Sequence, residues 1–546
     1  MKLVEIRDLD GPNLFLPVPA VKIEFASDPA IGDPVLSPEI VDRLRRSRVA
    51  VDDDLEPDSP LGDALIDAVQ LLHVRMGAVR PECAWRALET PGHVAMAFEW
   101  ERRSFALAVA RLISDCVTGD GTTTPVKPEE LSSLLGLPVS PDDTPEWVRD
   151  VERRVPIVGI TGTNGKTTTT RLISHVLREA GRSVGWSSSS GVYIDGSQVL
   201  EGDYTGPSGA RRVLQEPDLD VAVLETARGG ILLRGIAYES NDVSVFTNVS
   251  ADHLDLLGVR TIEGLLAVKS IVVRVTKGSG FAILNADDPL VRSLAPEIRA
   301  TPIFVSRDAS NPTVLNHVAA GGIALVLQDG WLTLFRRGQI IPVARVGEIP
   351  VSYGGRAMHM VENALCAAGA CIALGLDPEE IAAGLASFRN TPDLNPGRLH
   401  VYDLGGTTVV IDYAHNEAGL GHLLRFGKTY LGEGGRLVSV IGTAGDRPDD
   451  ALREIGRLAA TESDAVVIKE TTKYLRGRGS AAEMTDLLVE GVAGVPGVPW
   501  ETLATELGGV EAALVDRSPG DVVVVMCIEQ TDEVRNLLGN AGTLVS

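Results

Sequence analysis

The feature that most constrains the fold is a glycine-rich loop between an apolar run and a helical segment. The loop reads Gly159-Ile160-Thr161-Gly162-Thr163-Asn164-Gly165-Lys166-Thr167-Thr168. It follows the apolar run Val155–Ile160, predicted as a strand, and precedes a helix predicted over Thr168–Glu179. Glycines let backbone N–H groups approach phosphate oxygens, and a helix N-terminus adds partial positive charge. The segment therefore predicts a strand–loop–helix unit that binds the phosphates of a nucleotide.

The side chains of this loop have distinct expected roles. Lys166 is expected to reach the β- and γ-phosphates, and the Thr167 hydroxyl to ligate Mg²⁺. The other residues expected to line the nucleotide are Gly162, Thr163, Asn164, Gly165 and Thr168. The strict G-x-x-x-x-G-K-[ST] template fails because Ile160 occupies its first position. A glycine-rich turn with a chance lysine is the competing interpretation, and the strand–loop–helix context disfavours it.

Apolar runs alternating with helices surround this loop. The predicted strands are Val155–Ile160, Val221–Leu224, Val243–Phe246 and Phe281–Leu284, and helices are predicted near Ile262–Val275, Met358–Leu374 and Pro378–Phe388. Such alternation predicts an α/β domain with a mostly parallel sheet. We divide the chain into an α+β domain (1–118), a Pro/Thr/Gly-rich linker (119–151), a central domain (152–392) and a second β/α series (393–546).

Polar residues follow two of these predicted strands. Glu225 comes directly after Val221–Leu224, and a carboxylate at that end of a strand is a suitable ligand for Mg²⁺. His253 and then, sixteen residues later, Lys269 follow the strand Val243–Phe246. A lone histidine is more often structural than catalytic. Here both residues lie downstream of a strand end, on the expected active edge.

At this point the sequence resembles the Mur ligase superfamily, since Asn248-Val249-Ser250-Ala251-Asp252-His253 with its spaced lysine is similar to a motif of that family. The resemblance implies a central P-loop ATPase domain, a C-terminal Rossmann-like domain and a preceding substrate domain. It further implies ATP and two Mg²⁺ ions as cofactors. Thr167 and Glu225 would hold one ion; His253 and a CO₂-derived carbamate on Lys269 would hold the other.

Further segments resemble the family's nucleotide site. Asn285 and Asp287 are similar to a segment that closes it, and His359 and Asn363 to its adenine side, where this chain departs at Met360 and Glu362. The resemblance implies that three more residues near the domain boundary contact the nucleotide or assist closure: Arg398, Asp412 and His415.

Within the superfamily, the segment Glu225-Thr226-Ala227-Arg228-Gly229-Gly230 resembles a motif in the Mur-like half of the cyanophycin synthetase family. That family carries an ATP-grasp domain between its N-terminal and Mur-like parts; here only 119–151 intervenes. The resemblance implies an ATP-dependent C–N ligase that activates an acceptor carboxylate as an acyl phosphate. Lys166, Glu225, His253, Lys269 and Arg398 would be its catalytic residues. The favoured pair is arginine as amine and an aspartate-containing acceptor.

Two alternatives stay open. One is a folylpolyglutamate- or muropeptide-type ligase acting on another peptide or secondary-metabolite carboxylate. The other is a catalytically silent nucleotide-binding partner protein, which the joint presence of five residues disfavours: Lys166, Thr167, Glu225, His253 and Lys269. The identities of acceptor and amine are not encoded in any motif we can read, and the sequence leaves a homo-oligomer open.

The net charge of the chain limits the kinds of partner that it is expected to bind. The net charge of −24 disfavours binding to nucleic acid or to an anionic membrane, because both need local positive charge. Five scattered cysteines without CxxC spacing indicate neither a zinc site nor a disulfide framework. We therefore expect a cytoplasmic protein that uses small-molecule or peptide substrates.

Overall fold

The computed structural model describes residues 1–28, 34–47, 49, 59–119, 128–251, 254 and 257–545. Within these residues the chain forms three sheets, each covered by its own helices. None of the helices in the described ranges has both the length and the apolar composition needed to cross a bilayer.

The N-terminal region is an antiparallel sheet covered by helices. Its strands, in the spatial order β1-β2-β4-β3, are β1 (Lys2–Leu9), β2 (Ala20–Ala26), β3 (Cys83–Ala87) and β4 (His93–Glu99). Its helices are α1 (Pro38–Arg46), α2 (Leu61–Met76), α3 (Arg103–Thr118) and α4 (Pro128–Gly136). Leu72 of α2 and Ile113 of α3 are buried in a core shared with Phe98 of β4.

Part of the segment predicted as a linker is structured. Leu131 of α4 is buried in the N-terminal core, and the Arg102 guanidinium donates to the carbonyl of Leu134 at 3.1 Å. The same guanidinium also donates to the carbonyls of Leu135 and Leu137. Arg102 therefore satisfies carbonyls at the end of α4 that have no partner within the helix. The polar composition of residues 119–151 led to the prediction of a linker, and this helix was therefore not predicted.

The central region contains the largest sheet. Its strands are β5 (Ile157–Thr161), β6 (Val184–Ser188), β7 (Gly191–Ile194), β8 (Ser197–Glu201), β9 (Val221–Glu225), β10 (Asn241–Phe246), β11 (Thr276–Asn285), β12 (Thr301–Ser306), β13 (Ile323–Gln328), β14 (Trp331–Arg336) and β15 (Gln339–Arg345). Its helices are α5 (Lys166–Glu179), α6 (Pro207–Leu214), α7 (Arg228–Arg234), α8 (Ile262–Arg274), α9 (Pro289–Arg292), α10 (Pro312–Ala319), α11 (Met358–Ala373) and α12 (Pro378–Ser387).

The order of these strands is β15-β14-β13-β12-β11-β10-β5-β9-β6-β7-β8. The strands from β13 to β6 are parallel, and antiparallel hairpins extend both edges. Alternate residues of β5 face opposite layers: Val158 packs in the core that includes α5 and α11, and Ile157 in the core that includes α8. The predicted α/β class with a mostly parallel sheet is confirmed.

The C-terminal region is a second α/β unit. Its strands, in the order β20-β19-β18-β21-β17-β16-β22, are β16 (His400–Asp403), β17 (Thr408–Asp412), β18 (Leu437–Ile441), β19 (Ala465–Lys469), β20 (Trp500–Leu503), β21 (Val522–Met526) and β22 (Thr543–Val545). Its helices are α13 (Glu417–Lys428), α14 (Asp449–Glu462), α15 (Ala481–Ala493), α16 (Glu506–Ala513) and α17 (Thr531–Ala541). The carboxyl ends of β17 and β18 carry the loops that face the central domain.

Candidate active site between two domains

Three neighbouring strands end at the same level of the central sheet. β5 lies between β9 and β10, with Ile160 opposite Glu225 and Thr161 opposite Phe246. The glycine-rich loop (162–167, the P-loop) and the segments after β9 and β10 therefore start side by side. This is the edge of a parallel sheet at which ligands bind in α/β folds.

The segment after β10 fixes the shape of the P-loop. The Asn248 carbonyl accepts a hydrogen bond from the Thr163 amide at 2.8 Å, and its Oδ1 accepts one from the Asn164 amide at 2.9 Å. The Thr247 hydroxyl donates to the Asn164 carbonyl at 2.7 Å. Asn248 of the family-like motif is thus a structural partner of the loop.

Two glycines of the P-loop are required by close approach and by backbone conformation. Gly162 has φ +147°, and a Cβ there would lie 1.9 Å from the Thr247 hydroxyl oxygen. Gly165 has φ +85°, and a Cβ there would lie 2.2 Å from Oδ1 of Asn363 on α11. Any side chain at either position would force the loop away from its neighbours.

Three oxygen-bearing side chains converge just behind the P-loop. The Thr167 hydroxyl donates to Glu225 Oε1 at 3.1 Å and lies 3.0 Å from the Ser189 hydroxyl. The Ser189 amide donates to the other Glu225 oxygen at 3.3 Å. Only 3 % of Glu225 is exposed. Burial raises the pKa of its carboxyl, and the positive charges of Lys166 and Arg398 oppose that rise.

This oxygen set fits a hard divalent cation. The described residues contain no group of three or more His, Cys, Asp and Glu arranged to hold a metal. A buried carboxylate beside two hydroxyls instead suits Mg²⁺, which usually takes one or two protein carboxylates and completes its shell with phosphate oxygens and water. The Lys166 amine meanwhile donates to the Thr163 carbonyl at 2.9 Å, so it lies within the P-loop.

Lys269 contacts the first residue of the P-loop. Its side chain extends from α8, is 5 % exposed, and donates from Nζ to the Gly162 carbonyl at 2.5 Å. A carbamate on this nitrogen would keep one N–H donor for that carbonyl and add two oxygens. His253, its predicted partner, lies outside the described residues.

The C-terminal domain supplies the facing wall. Arg398 precedes β16, stacks over the Tyr413 ring at 4.7 Å and donates to the Ser189 hydroxyl at 3.3 Å. Asp412 at the end of β17 accepts from the Leu399 amide at 2.8 Å, and burial raises the pKa of its carboxyl. Nδ1 of His415 lies 2.9 Å from the Tyr413 carbonyl. The predicted interdomain residues therefore come together at one wall.

Besides Arg398 and Ser189, two side-chain pairs join the walls directly. The amides of Asn164 in the P-loop and Asn416 at the start of α13 interact at 3.3–3.5 Å. The His359 and His422 rings stack with centroids 5.2 Å apart. Burial, repulsion from His422 and nearby arginines lower the pKa of His359 to about 3, and burial and the arginines lower that of His422 to about 4. The two histidines are therefore neutral at neutral pH.

The walls enclose a cavity of about 630 Å³. The predicted residues that line it are Thr163, Asn164, Gly165, Lys166, Thr167, Thr168, Glu225, His359, Asn363, Arg398, Asp412 and His415. Asn285 and Asp287 are instead engaged with adjacent loops: Asn285 donates to the Thr247 carbonyl at 2.8 Å, and Asp287 accepts from the Ser306 hydroxyl at 2.5 Å and the Arg307 amide at 2.8 Å.

The sequence interpretation missed several residues of the cavity. They are Ser189, Ser190, Asp203, Thr205, His422, Tyr474 and Arg476. One signal was available, because the serine run 187–190 follows the apolar residues Val184–Trp186 and marks another strand end. The C-terminal residues gave no such signal, since they reach the cavity from separate loops and helices.

Comparison with known protein families agrees with this geometry. The Mur ligase middle domain matches residues 160–371, and the family described as Mur ligase, glutamate ligase domain matches 397–527. The chain is 41 % identical over 373 residues to a cyanophycin synthetase of Synechocystis sp., an alignment that covers 68 % of this chain and 42 % of that protein. The chain thus spans less than half the length of that relative.

Two further relatives cover more of their own length. A UDP-N-acetylmuramoyl-L-alanyl-D-glutamate–2,6-diaminopimelate ligase of Gloeobacter violaceus is 30 % identical over 68 % of this chain and 72 % of its own. A Yersinia pestis folylpolyglutamate synthase/dihydrofolate synthase, solved with AMPPNP and a Mn ion, shares the fold at a TM-score of 0.51 and 20 % identity, covering 70 % of this chain and 89 % of its own. With both domain families matched in order around one cleft, the chain belongs to the Mur ligase family.

Proposed function

We propose that this protein is an ATP-dependent ligase that joins an acceptor carboxylate to the amine of an amino acid. One observation carries the proposal: a P-loop, the buried carboxylate of Glu225 and Arg398 of a second domain line the same cavity. Binding ATP alone would need only the P-loop. A cleft that holds a phosphate-binding loop on one wall and a cation on the other suits phosphoryl transfer to a second substrate.

In the first step, an acceptor carboxylate oxygen attacks the γ-phosphorus of ATP, and ADP leaves. Lys166 exchanges its contact with the Thr163 carbonyl for the phosphate oxygens and offsets their charge. The P-loop amides and the N-terminus of α5 hold the remaining phosphates. The protein acts mainly by positioning the two reactants and neutralising charge.

In the second step, the neutral amine attacks the acyl carbon, phosphate leaves, and the nitrogen loses its proton. Arg398 would stabilise the developing oxyanion, because it lies next to Ser189 at the metal-facing side of the cleft. The contacts Asn164–Asn416 and His359–His422 hold the walls together and would exclude water from the acyl phosphate.

Mg²⁺, when bound, would offset the phosphate charge and polarise the transferring group. Thr167 and Glu225 are the candidate ligands of a first ion, and His253 with carbamylated Lys269 those of a second. An unmodified lysine is a cation and would repel a divalent ion, so the second site depends on the carbamate.

The substrate pair that we test first is arginine with an aspartate-containing acidic peptide, which rests on the resemblance to cyanophycin synthetase. The 30 % identity to a diaminopimelate-adding ligase supports a second panel of muropeptide and glutamyl acceptors. Both panels share the same chemistry at the acceptor carboxylate.

The test is ADP release measured with ATP and Mg²⁺ over a matrix of acceptors and amines. We expect release that requires one acceptor and one amine together, with amide product in equal amount. Glu225→Gln should lower it strongly, whereas Glu201→Gln, which alters an exposed carboxylate on β8, should not. ATP binding without release for any pair would contradict the ligase proposal and favour a silent nucleotide-binding protein.

A further inference from the structure

The N-terminal domain contacts the central domain at the start of α8, the helix that carries Lys269. The Glu89 carboxylate, in the loop between β3 and β4, accepts hydrogen bonds from the Thr261 amide at 2.9 Å and from the Arg260 amide and the Thr261 hydroxyl. Thr261 is itself the N-cap of α8, and its hydroxyl accepts from the Gly264 amide. A carboxylate from another domain therefore completes the cap of this helix.

The fit at this contact is close. A Cβ on Gly264 would lie 2.1 Å from Glu89 Oε1 and 2.5 Å from its carboxyl carbon. Burial acts to raise the pKa of Glu89, but the hydrogen bonds from Thr261 and Arg260 outweigh it and lower the pKa overall. The group is thus an anion at neutral pH, and an anion at a helix N-terminus is stabilised by unpaired amides and by the helix dipole.

A second contact holds the N-terminal domain against the central domain, at the end of α7. The Asp10 amide donates to the Arg234 carbonyl and the Ile236 amide to the Pro12 carbonyl, both at 2.8 Å. Gly11 lies so close that a Cβ there would be 1.9 Å from the Ile236 carbonyl oxygen. The domain is thus fixed at the end of α7 as well as at the start of α8, so Glu89 reaches α8 from a rigid base.

We propose that Glu89 is a positioning residue through which the N-terminal domain holds α8 in register, so that Lys269 lies against the P-loop. Two turns of helix separate the capped end from Lys269, whose amine contacts the Gly162 carbonyl. Loss of the cap would fray the first turn of α8 and loosen that contact. The role in catalysis rests on the proposed function; the role in holding the P-loop does not.

The test is amide hydrogen exchange on substrate-free protein, combined with kinetics. In Glu89→Gln we expect exchange about tenfold faster at residues 260–266, because a lost N-terminal cap costs about that factor, and faster exchange at 162–165. The kcat for ADP release should fall about tenfold with the KM for ATP within twofold. The bicarbonate concentration for half-maximal activity should rise, which a general loss of stability would not cause.

Two variants keep the result interpretable. Glu101→Gln alters an exposed carboxylate of the same domain and should match the wild type. Gly264→Ala should favour an isolated helix, yet here it displaces Glu89, so it should reproduce the Glu89→Gln exchange pattern. Unchanged exchange at 260–266 in Glu89→Gln would overturn the proposal, as would faster exchange there without any change at 162–165. If the wild type releases no ADP with any pair, the proposed function fails while the exchange result still decides this one.

Discussion

The two walls of the cleft are built differently. On the central wall, Thr167 and Glu225 are almost fully buried and hydrogen-bonded to each other at the ends of adjacent strands. On the C-terminal wall, Arg398 is held by a ring stack on Tyr413 and by one long hydrogen bond to Ser189 across the cleft. The central wall is therefore preformed by its own sheet, whereas the C-terminal wall depends on how the two domains meet.

This difference predicts how substitutions should act. Changes to the charged groups of the central wall should mainly remove charge stabilisation, so they should lower kcat strongly. Changes on the C-terminal wall should act on closure as well, so their effects should be smaller and should include KM.

The largest effect is expected for Lys166→Ala. It removes the P-loop cation that we propose offsets the charge of the transferring phosphoryl group, and the loss of a comparable charge costs about 10³-fold in kcat. The fold should be unchanged because the loop lies at the surface of the sheet edge. Steady-state ADP release measures the effect, and Lys428→Ala, which removes an exposed cation paired with Glu462, is the matched control. A folded Lys166→Ala protein with near-normal turnover would contradict the assignment of the nucleotide site.

The next largest effect is expected for Lys269→Ala, about 10²-fold in kcat, because it removes both the proposed carbamate and the contact with the Gly162 carbonyl. Enzyme prepared without CO₂ should regain activity with bicarbonate, and formate should partly rescue the variant by occupying the vacated site. Lys269→Arg cannot form the carbamate and should be equally impaired. Full activity of Lys269→Arg would exclude the residue as a source of a metal ligand.

The sequence predicted the central wall better than the C-terminal wall, for a physical reason. Lys166, Thr167 and Glu225 follow apolar runs directly, and the parallel sheet brings such strand ends together without further information. Arg398, Asp412 and His415 were found only by family resemblance, while His422 and Arg476 were missed. Their approach to the cleft depends on the packing of one domain against another, which no local pattern encodes.

The same reasoning explains the missed strands at the edges of the central sheet. The parallel strands are continuous apolar runs because both faces are buried. β8 reads Ser197-Gln198-Val199-Leu200-Glu201 and is largely exposed, so its hydrophobic signal is weak. The helix α4, inside the predicted linker, was missed for a different reason. The proline and threonine residues of that segment suggested a loop, whereas Leu131 packs into the N-terminal core.

A smaller effect is expected for Arg398→Lys. Lysine keeps the charge but loses the planar stack on Tyr413 and the donor geometry toward Ser189. We expect kcat to fall about tenfold and the KM for the acceptor to rise, since both oxyanion stabilisation and closure are affected. A loss as large as that of Lys166→Ala, with KM unchanged, would mean that the C-terminal wall is as preformed as the central wall.

The smallest effect, a change in how stability depends on pH, is expected for His422→Phe, which tests the pair that joins the walls. The pKa values of His359 and His422 are lowered to about 3 and about 4, so the folded state binds fewer protons than the unfolded chain between the ordinary histidine pKa and those values. Stability must therefore fall as pH drops through that window.

Phenylalanine keeps a ring stacked on His359 but cannot take up a proton. Between pH 7 and pH 5, His422→Phe should lose about 1 kcal/mol less stability than the wild type, or about 2–4 °C less in Tm for a domain of this size. Thermal unfolding followed at both pH values measures the difference. An equal drop in wild type and variant would show that His422 is not held neutral between the walls, and that this part of the C-terminal wall is less closely packed against the central wall than the ring stack indicates.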